Sequence, residues 1–348
     1  MDSVLLSLNY PRRFGVEIEV NAFDGLDKLP EKKMPEGIHY VSNLISKTLG
    51  QYVEIRKWGH THWDKTAGYW VVKPDSSCGM EACSPVSRGW YGLKQILQVI
   101  DAFRLDNKIK ADNRCSLHVH VDVSDLTLRD VANIIRYWVK VEKVFMDSVP
   151  YGRKNNRYCQ SIGLWDWISH DSQMEPESLI KLVGESKYTT LNTFHLSEGK
   201  RPTIEFRIAE HSLCENPYWV KNWVRLVLHF VEMARKRNPP GPYVPNDPWT
   251  GMVWLDPRDV FELLGFDGSY LLSDGMKQVR NWFLSRLVEN VRDWAEVGVF
   301  SKKARLPALR EISEMALQLI KEDQMKMLNY ELEPPEYAQA LYGNIYRV

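Results

Sequence analysis

The sequence predicts an α+β protein. Strand-like and helix-like segments intermingle up to NPPGPYVPNDPW (238–249), and the pattern beyond that proline-rich stretch is nearly all helical. Four short segments alternate apolar and ionisable residues with a period of two, as half-buried strands do. Several longer ones repeat apolar residues every three or four positions, which marks helices with one inward face.

The first strand is RFGVEIEV (13–20), where Val16, Ile18 and Val20 alternate with Glu17 and Glu19. YWVVKPDSSCGMEACSP follows from residue 69 as strand, turn and strand, with Glu81 and Cys83 sharing the face opposite Met80 and Ala82. A helix carries Leu93, Ile96, Leu97, Ile100 and Phe103 on one face. RCSLHVHVDV (114–123) alternates throughout, setting Leu117, Val119 and Val121 against His118, His120 and Asp122. A longer helix turns Val131, Ile134, Ile135, Trp138, Val141 and Phe145 inward. PTIEFRIAEH (202–211) opposes Ile204, Phe206 and Ile208 to Glu205 and Arg207.

Asn216 and Pro217 then open a helix with Val220, Trp223, Val224, Val227 and Val231 inside. The aromatic stripes of these helices fit core packing better than a ligand platform. Beyond the prolines, Asp256 and Pro257 form an N-cap and first-turn proline. Val279, Phe283, Leu287 and Val291 mark a helix over 273–294, and a final helix is expected over about 307–327.

Composition excludes several classes. Lys plus Arg and Asp plus Glu both number 45 in 348 residues, so no global field favours nucleic acid or an anionic membrane. No apolar run approaches the roughly 18 residues of a membrane span, and the N-terminal run is too short for a signal core. The cysteines, Cys78, Cys83, Cys115, Cys159 and Cys214, include no CxxC pair. They read as reduced thiols in a cytoplasm-like compartment.

The polar faces of the four strands carry the chemistry. A wet face would mix Lys, Thr, Ser and Glu, whereas these positions hold Glu/Glu, His/His and Glu/Arg pairs. If the strands are neighbours in one curved sheet, Glu17, Glu19, Glu81, Glu205 and one or both histidines line a shared surface. So many carboxylates require bound cations or shifted protonation. Predominantly hard oxygen ligands point to Mg²⁺ or Mn²⁺ rather than zinc. Arg207 offers a fork for phosphate oxygens. Acids, metal and arginine together equip phosphoryl transfer, without a P-loop or a kinase-type glycine loop.

FGVEIEV, GYWVVKPDSS, GMEACSP, LHVHVD, YGRKNNRY, YTTLNTFH and TIEFRIAE occur in the order of the amidoligases of the glutamine synthetase and glutamate–cysteine ligase superfamily. The chain resembles this family over roughly residues 12–264. The resemblance implies a curved, mainly antiparallel sheet with helices on its outer face, and metals and ATP on the concave face. Residues 265–348 then form a helical C-terminal region, which could cover the substrate mouth, mediate homo-oligomerisation or complete the fold.

The implied activity is ATP-dependent, ADP-forming ligation of a carboxylate to an amine through an acyl phosphate. The implied cofactors are ATP and two or more Mg²⁺ or Mn²⁺ ions. The substrates would be a small amine or amino acid and a carboxylate, with a peptide or protein among the acceptors. By the same resemblance Glu17, Glu19, Glu81 and Glu205 are metal acids, and one histidine of LHVHVD, His118 preferred, is a metal or phosphate ligand. His120 is then an outer or substrate group. Arg153 and Arg157 would meet phosphates, Asp75 the incoming amine unless Lys73 pairs with it, and Asn192 the nucleotide or substrate. Trp63, Trp70, His60 and His62 fit structural roles better than a pocket lining. Two competing functions are a metal-dependent hydrolase, whether phosphoesterase or amidohydrolase, and a non-catalytic binding protein retaining the fold.

Overall fold

The structure, a computed structural model, describes residues 12–22, 34–57, 68–162 apart from 76 and 155, 174–236 apart from 212, 213 and 215, 255–266 and 274–296, with 314 and 318 besides. The strands are β1 (Arg13–Ala22), β2 (Val53–Ile55), β3 (Trp70–Asp75), β4 (Gly79–Cys83), β5 (Ser87–Arg88), β6 (Ile109–Lys110), β7 (Leu117–Asp122), β8 (Leu191–Asn192) and β9 (Thr203–Phe206). The helices are α1 (Met34–Leu49), α2 (Gly89–Leu105), α3 (Leu128–Asp147), α4 (Tyr151–Lys154), α5 (Pro176–Val183), α6 (Phe194–Ser197), α7 (Pro217–Ala234), α8 (Pro257–Leu263) and α9 (Asp274–Glu296).

The expected α+β class is observed. One sheet runs β2-β3-β4-β1-β7-β9-β8, with β5 and β6 pairing with β1. Every pairing is antiparallel except β2 with β3. The four sequence-predicted strands are thus consecutive neighbours, β4, β1, β7 and β9. Their apolar sides, including Phe14, Val16, Ile18, Ala82, Leu117, Val119, Ile204 and Phe206, join one hydrophobic core with the inward faces of α2, α3 and α7. Trp138 anchors that core, with ring centroids 4.9 Å from Phe145, 5.1 Å from Phe206 and 5.5 Å from Phe230. The aromatic stripes are therefore packing, as their spacing predicts.

The helix starts follow local chemistry. Thr127 and Asp130 form a reciprocal capping box at α3. Asn216 caps α7, and Asp256 caps α8, each followed by proline. In α9 Val279, Phe283 and Leu287 enter the same core, and Asn290 donates to the Ser148 carbonyl at 2.9 Å. Helices α1 and α5 have no counterpart among the sequence expectations. The prolines of 238–249 and Trp63, His60 and His62 lie outside the described residues, as does the expected final helix of 307–327 apart from Glu314 and Gln318, which are helical. Trp70 is fully buried.

One expectation is corrected. Cys78 and Cys115 are joined in a disulfide, and Cys83, Cys159 and Cys214 remain thiols. The two partners sit at the start of β4 and just before β7, the strands on either side of β1. Their 37-residue separation conceals the pair in the sequence. The cytoplasmic reading rested on five reduced thiols and loses that support. Among the described residues no helix is long and apolar enough to cross a membrane.

Candidate active site: a buried acid face

Strand register assembles the ionisable groups. Glu17 is opposite Cys83 on β4 and His118 on β7. Glu19 is opposite Glu81, which in turn is opposite Lys73 on β3. His120 is opposite Glu205, and Glu205 opposite Asn192 on β8. Because side chains alternate, all of these project from the face away from the helical core. That face is closed to water: Glu17, Glu19, Glu81, His118, His120 and Glu205 are each 2–9% exposed. A solvated polar face is thereby ruled out.

His118 is the hub. Its Nδ1 lies 3.2 Å from Glu205 Oε1, 3.4 Å from Glu17 Oε2 and 3.3 Å from Arg207 Nη1. On the other side of the ring, Nε2 is 2.7 Å from Ser116 Oγ, which donates to Glu19 Oε2 at 2.6 Å. His120 Nε2 is 3.1 Å from Glu17 Oε1 and 3.9 Å from Glu205 Oε1, and both its ring nitrogens are buried without a hydrogen-bond partner. Arg207 Nη1 binds Glu205 Oε1 at 2.5 Å, and Asn192 Nδ2 donates to Glu205 Oε2 at 2.6 Å.

The electrostatics divide the acids. Burial alone would raise Glu17, but the charge of His120 and its contacts with both histidines hold it well below the usual carboxylate range. Glu205 is likewise penalised by burial yet held at about 2 by Arg207, His120 and His118. Burial raises Glu81 well above its ordinary value, and the charge of Glu17 adds to the effect. Burial also raises Glu19. The face therefore favours the ionised form of Glu17 and Glu205 and disfavours it at Glu19 and Glu81. His120 is raised, because Glu17 and Glu205 outweigh the effect of its burial.

Three further groups on this face were not singled out as site residues from the sequence. Lys73 Nζ is 3.1 Å from Glu81 Oε1, so it pairs with Glu81 rather than Asp75. Ser116 bridges Glu19 and His118. His195, on α6, has its ring centroid 6.5 Å from that of His120. Burial and neighbouring Arg201 and His120 lower its imidazole to about 4. Lys73 was legible as the polar partner of Glu81 across a hairpin. His195 was not, because only the turn after β8 brings it here.

The remaining expected residues fall around the face. Asp75 Oδ1 accepts from Ser77 N at 2.8 Å, Cys78 N at 3.0 Å and the Ser77 hydroxyl, which organises the β3–β4 turn. Gly79 closes that turn at φ 118°, and a Cβ there would fall 2.6 Å from Asn21 Oδ1. Arg153 is buried and donates from Nη2 to the Arg207 carbonyl at 2.6 Å, so it steadies the backbone of Arg207. Arg157 is exposed, stacked 4.7 Å over the Tyr158 ring and bonded to its hydroxyl at 2.6 Å.

A second layer supports this arrangement. Glu142 of α3 is fully buried and accepts from Ser161 Oγ at 2.5 Å, from Ile162 N at 3.0 Å and from the Thr190 hydroxyl. Trp138 Nε1 donates to the same Thr190 hydroxyl at 3.0 Å, and the Thr190 carbonyl accepts Arg207 N at 2.8 Å. Helix α3 thus fixes the strand end that carries Arg207.

The donor set fits divalent cations. Glu17, His120 and Glu205 each offer a ligand atom, all within 4.8 Å of one another, and so do Glu17, Glu81 and Cys83. Two positions sharing Glu17 are therefore available to metal.

Comparisons with known proteins agree with the family read from the motifs. Residues 10–231 match the family model described as "Putative amidoligase enzyme", and the chain belongs to that amidoligase family. No curated protein matches the sequence. Among solved structures the chain is similar to the ligase PafA in its complex with the prokaryotic ubiquitin-like protein Pup. That likeness has 12% identity, covers 94% of this chain and 71% of that chain, and has a TM-score of 0.37. It is also similar to a bifunctional glutathione synthetase from Pasteurella multocida, at 10% identity, 91% and 52% coverage and a TM-score of 0.34. The chain spans about half of that synthetase. Neither likeness is close enough to carry the reading below.

Proposed function

We propose that this chain is an ATP- and Mg²⁺-dependent ligase, ADP-forming, that joins an amine to a carboxylate through an acyl phosphate. The single observation that carries the reading is the buried face on which Glu17, Glu19, Glu81, Glu205, two histidines and Arg207 converge. Membership of the amidoligase family supports it. Glu17, Glu205 and His120 would hold one divalent ion, and Glu17 and Glu81 a second, with Glu19 and His118 beside them. Such ions neutralise the phosphate oxygens of ATP and of the transferred group.

The chain's own groups do the rest. Arg207 presents a guanidinium fixed by Glu205 at one edge and by Arg153 at its carbonyl, ready to meet phosphate oxygens. Asn192, bound to Glu205 and accepting from Phe194 N at 2.7 Å, locks the carboxylate that orients Arg207. Asp75 at the β3–β4 turn would receive a cationic amine. Burial excludes water, which would otherwise hydrolyse an activated carboxylate. Residues 12–264 form the catalytic unit in this reading, and α9 packs against its core. The substrates are a small amine or amino acid and a carboxylate, the latter free or on a peptide.

The test is ADP and phosphate release from Mg²⁺-ATP, screened against pools of amines, amino acids and carboxylate-bearing peptides. The expected result is release that depends on a pool, a product heavier by one amide condensation, and loss of both in Glu205→Ala. Metal-dependent cleavage of a phosphoester or amide, with no nucleotide turnover, would replace the ligase by a hydrolase.

A further inference from the structure

The two cation positions on the acid face are not chemically alike. One offers two carboxylates and an imidazole, from Glu17, Glu205 and His120, and the other offers two carboxylates and a thiol, from Glu17, Glu81 and Cys83. Resting on the reading of this face as a metal site, we infer that Cys83 Sγ is itself a metal ligand. Its position is then built for a borderline, sulfur-accepting ion such as Zn²⁺ or Co²⁺, whereas the His120 position takes Mg²⁺ or Mn²⁺.

Several observations place the sulfur in the site. Cys83 is buried, stands directly across from Glu17 in the β1–β4 register and brings Sγ to 3.1 Å from Glu81 Oε1. That oxygen also contacts Lys73 Nζ at 3.1 Å, so the sulfur, the Glu81 carboxylate and Lys73 meet at one point. The shared ligand Glu17 is approached from the other side by His120, whose two ring nitrogens are both buried without a hydrogen-bond partner, Nε2 lying 3.1 Å from Glu17 Oε1. A buried imidazole with neither nitrogen hydrogen-bonded, facing the carboxylate that both positions share, is an arrangement that bound cations complete.

Charge decides the kind of ion. With Lys73 protonated, two carboxylates and a thiolate leave two negative charges, which one divalent ion neutralises. When the ion binds, the S–H bond breaks, its proton leaves to solvent and the sulfur lone pair goes to the metal; no electron is transferred. Mg²⁺ gains little from sulfur, whereas Zn²⁺ and Co²⁺ gain a strong ligand. Among the described residues, neither of the other thiols, Cys159 and Cys214, belongs to such a group of potential ligands.

The experiment is a Co²⁺ titration of the full chain followed by absorption, with cadmium NMR of the unaltered protein as a second measurement that needs no variant. The expected result is a near-ultraviolet sulfur-to-cobalt charge-transfer band that survives excess Mg²⁺ and is displaced by Zn²⁺. Cys83→Ser should remove the band and weaken Co²⁺ binding by at least about tenfold, while Cys214→Ser leaves both unchanged. The cadmium resonance should report one sulfur ligand. Cobalt bound with no band, a band that persists in Cys83→Ser, or an all-oxygen cadmium resonance would overturn the assignment. Amide-forming turnover without the band would sink this inference and leave the ligase standing. The band without nucleotide turnover would do the reverse.

Discussion

Replacing Glu205 with Gln keeps the shape of the side chain and a partner for Asn192 but deletes the charge that faces Arg207. In the folded protein this carboxyl sits at about 2 rather than its ordinary 4.5, although the residue is buried. The gap between those values corresponds to about 3 kcal/mol of folding free energy. That agrees with the roughly 3–5 kcal/mol expected when a buried ion pair loses one partner and strands the other. The sign follows from the lowered value. The contribution is fully present above the ordinary carboxylate range and is lost as the pH falls from about 4.5 toward 2. Glu19 and Glu81, which are raised, act in the opposite sense, but they are common to both proteins and cancel in the difference. Urea unfolding of metal-free wild type and Glu205→Gln should show a gap of about 3 kcal/mol at neutral pH, narrowing below about pH 4.5. A gap under about 1 kcal/mol, or one that does not change with pH, would refute the electrostatic account of the face.

Two further outcomes follow from the layers around it. Reducing the Cys78–Cys115 disulfide, whose partners are 37 residues apart, should cost about 4 kcal/mol by loop-closure entropy; unfolding curves with and without a dithiol that coincide would contradict this. Glu142→Ala strands the Ser161, Ile162 and Thr190 donors in the core and should destabilise by about 3 kcal/mol or more. Hydrogen exchange should show the loss of protection extending to the Arg207 amide, and protection unchanged there would contradict the proposed support.

Much of this was legible because register, once the strands are found, does the assembly. The period-two alternation of RFGVEIEV, GMEAC, LHVHVD and TIEF fixed which side chains share a face. Adjacent pairing of those strands then brought Glu17, Glu81, His118 and Glu205 together. Helix starts at Asn216 and Asp256 were readable because capping is local chemistry. What escaped depends on contacts distant in sequence. The Cys78–Cys115 bond needs β4 and β7 to flank β1, which no local signal announces. His195 reaches the face through a turn, where alternation gives no guide, whereas Ser116 continues the alternation of His118 and His120 and was passed over because a serine carries no charge. Arg157, whose motif suggests a phosphate contact, is exposed and stacks on its own neighbour Tyr158.

The measurement that bears most directly on the central claim is the fate of a heavy-oxygen label placed in the substrate carboxylate that the turnover screen identifies. If ATP activates that carboxylate, one labelled oxygen per turnover appears in the released phosphate, ADP is the nucleotide product, and Glu205→Ala stops the transfer. Phosphate free of label, or release of AMP, would contradict acyl-phosphate formation on this face.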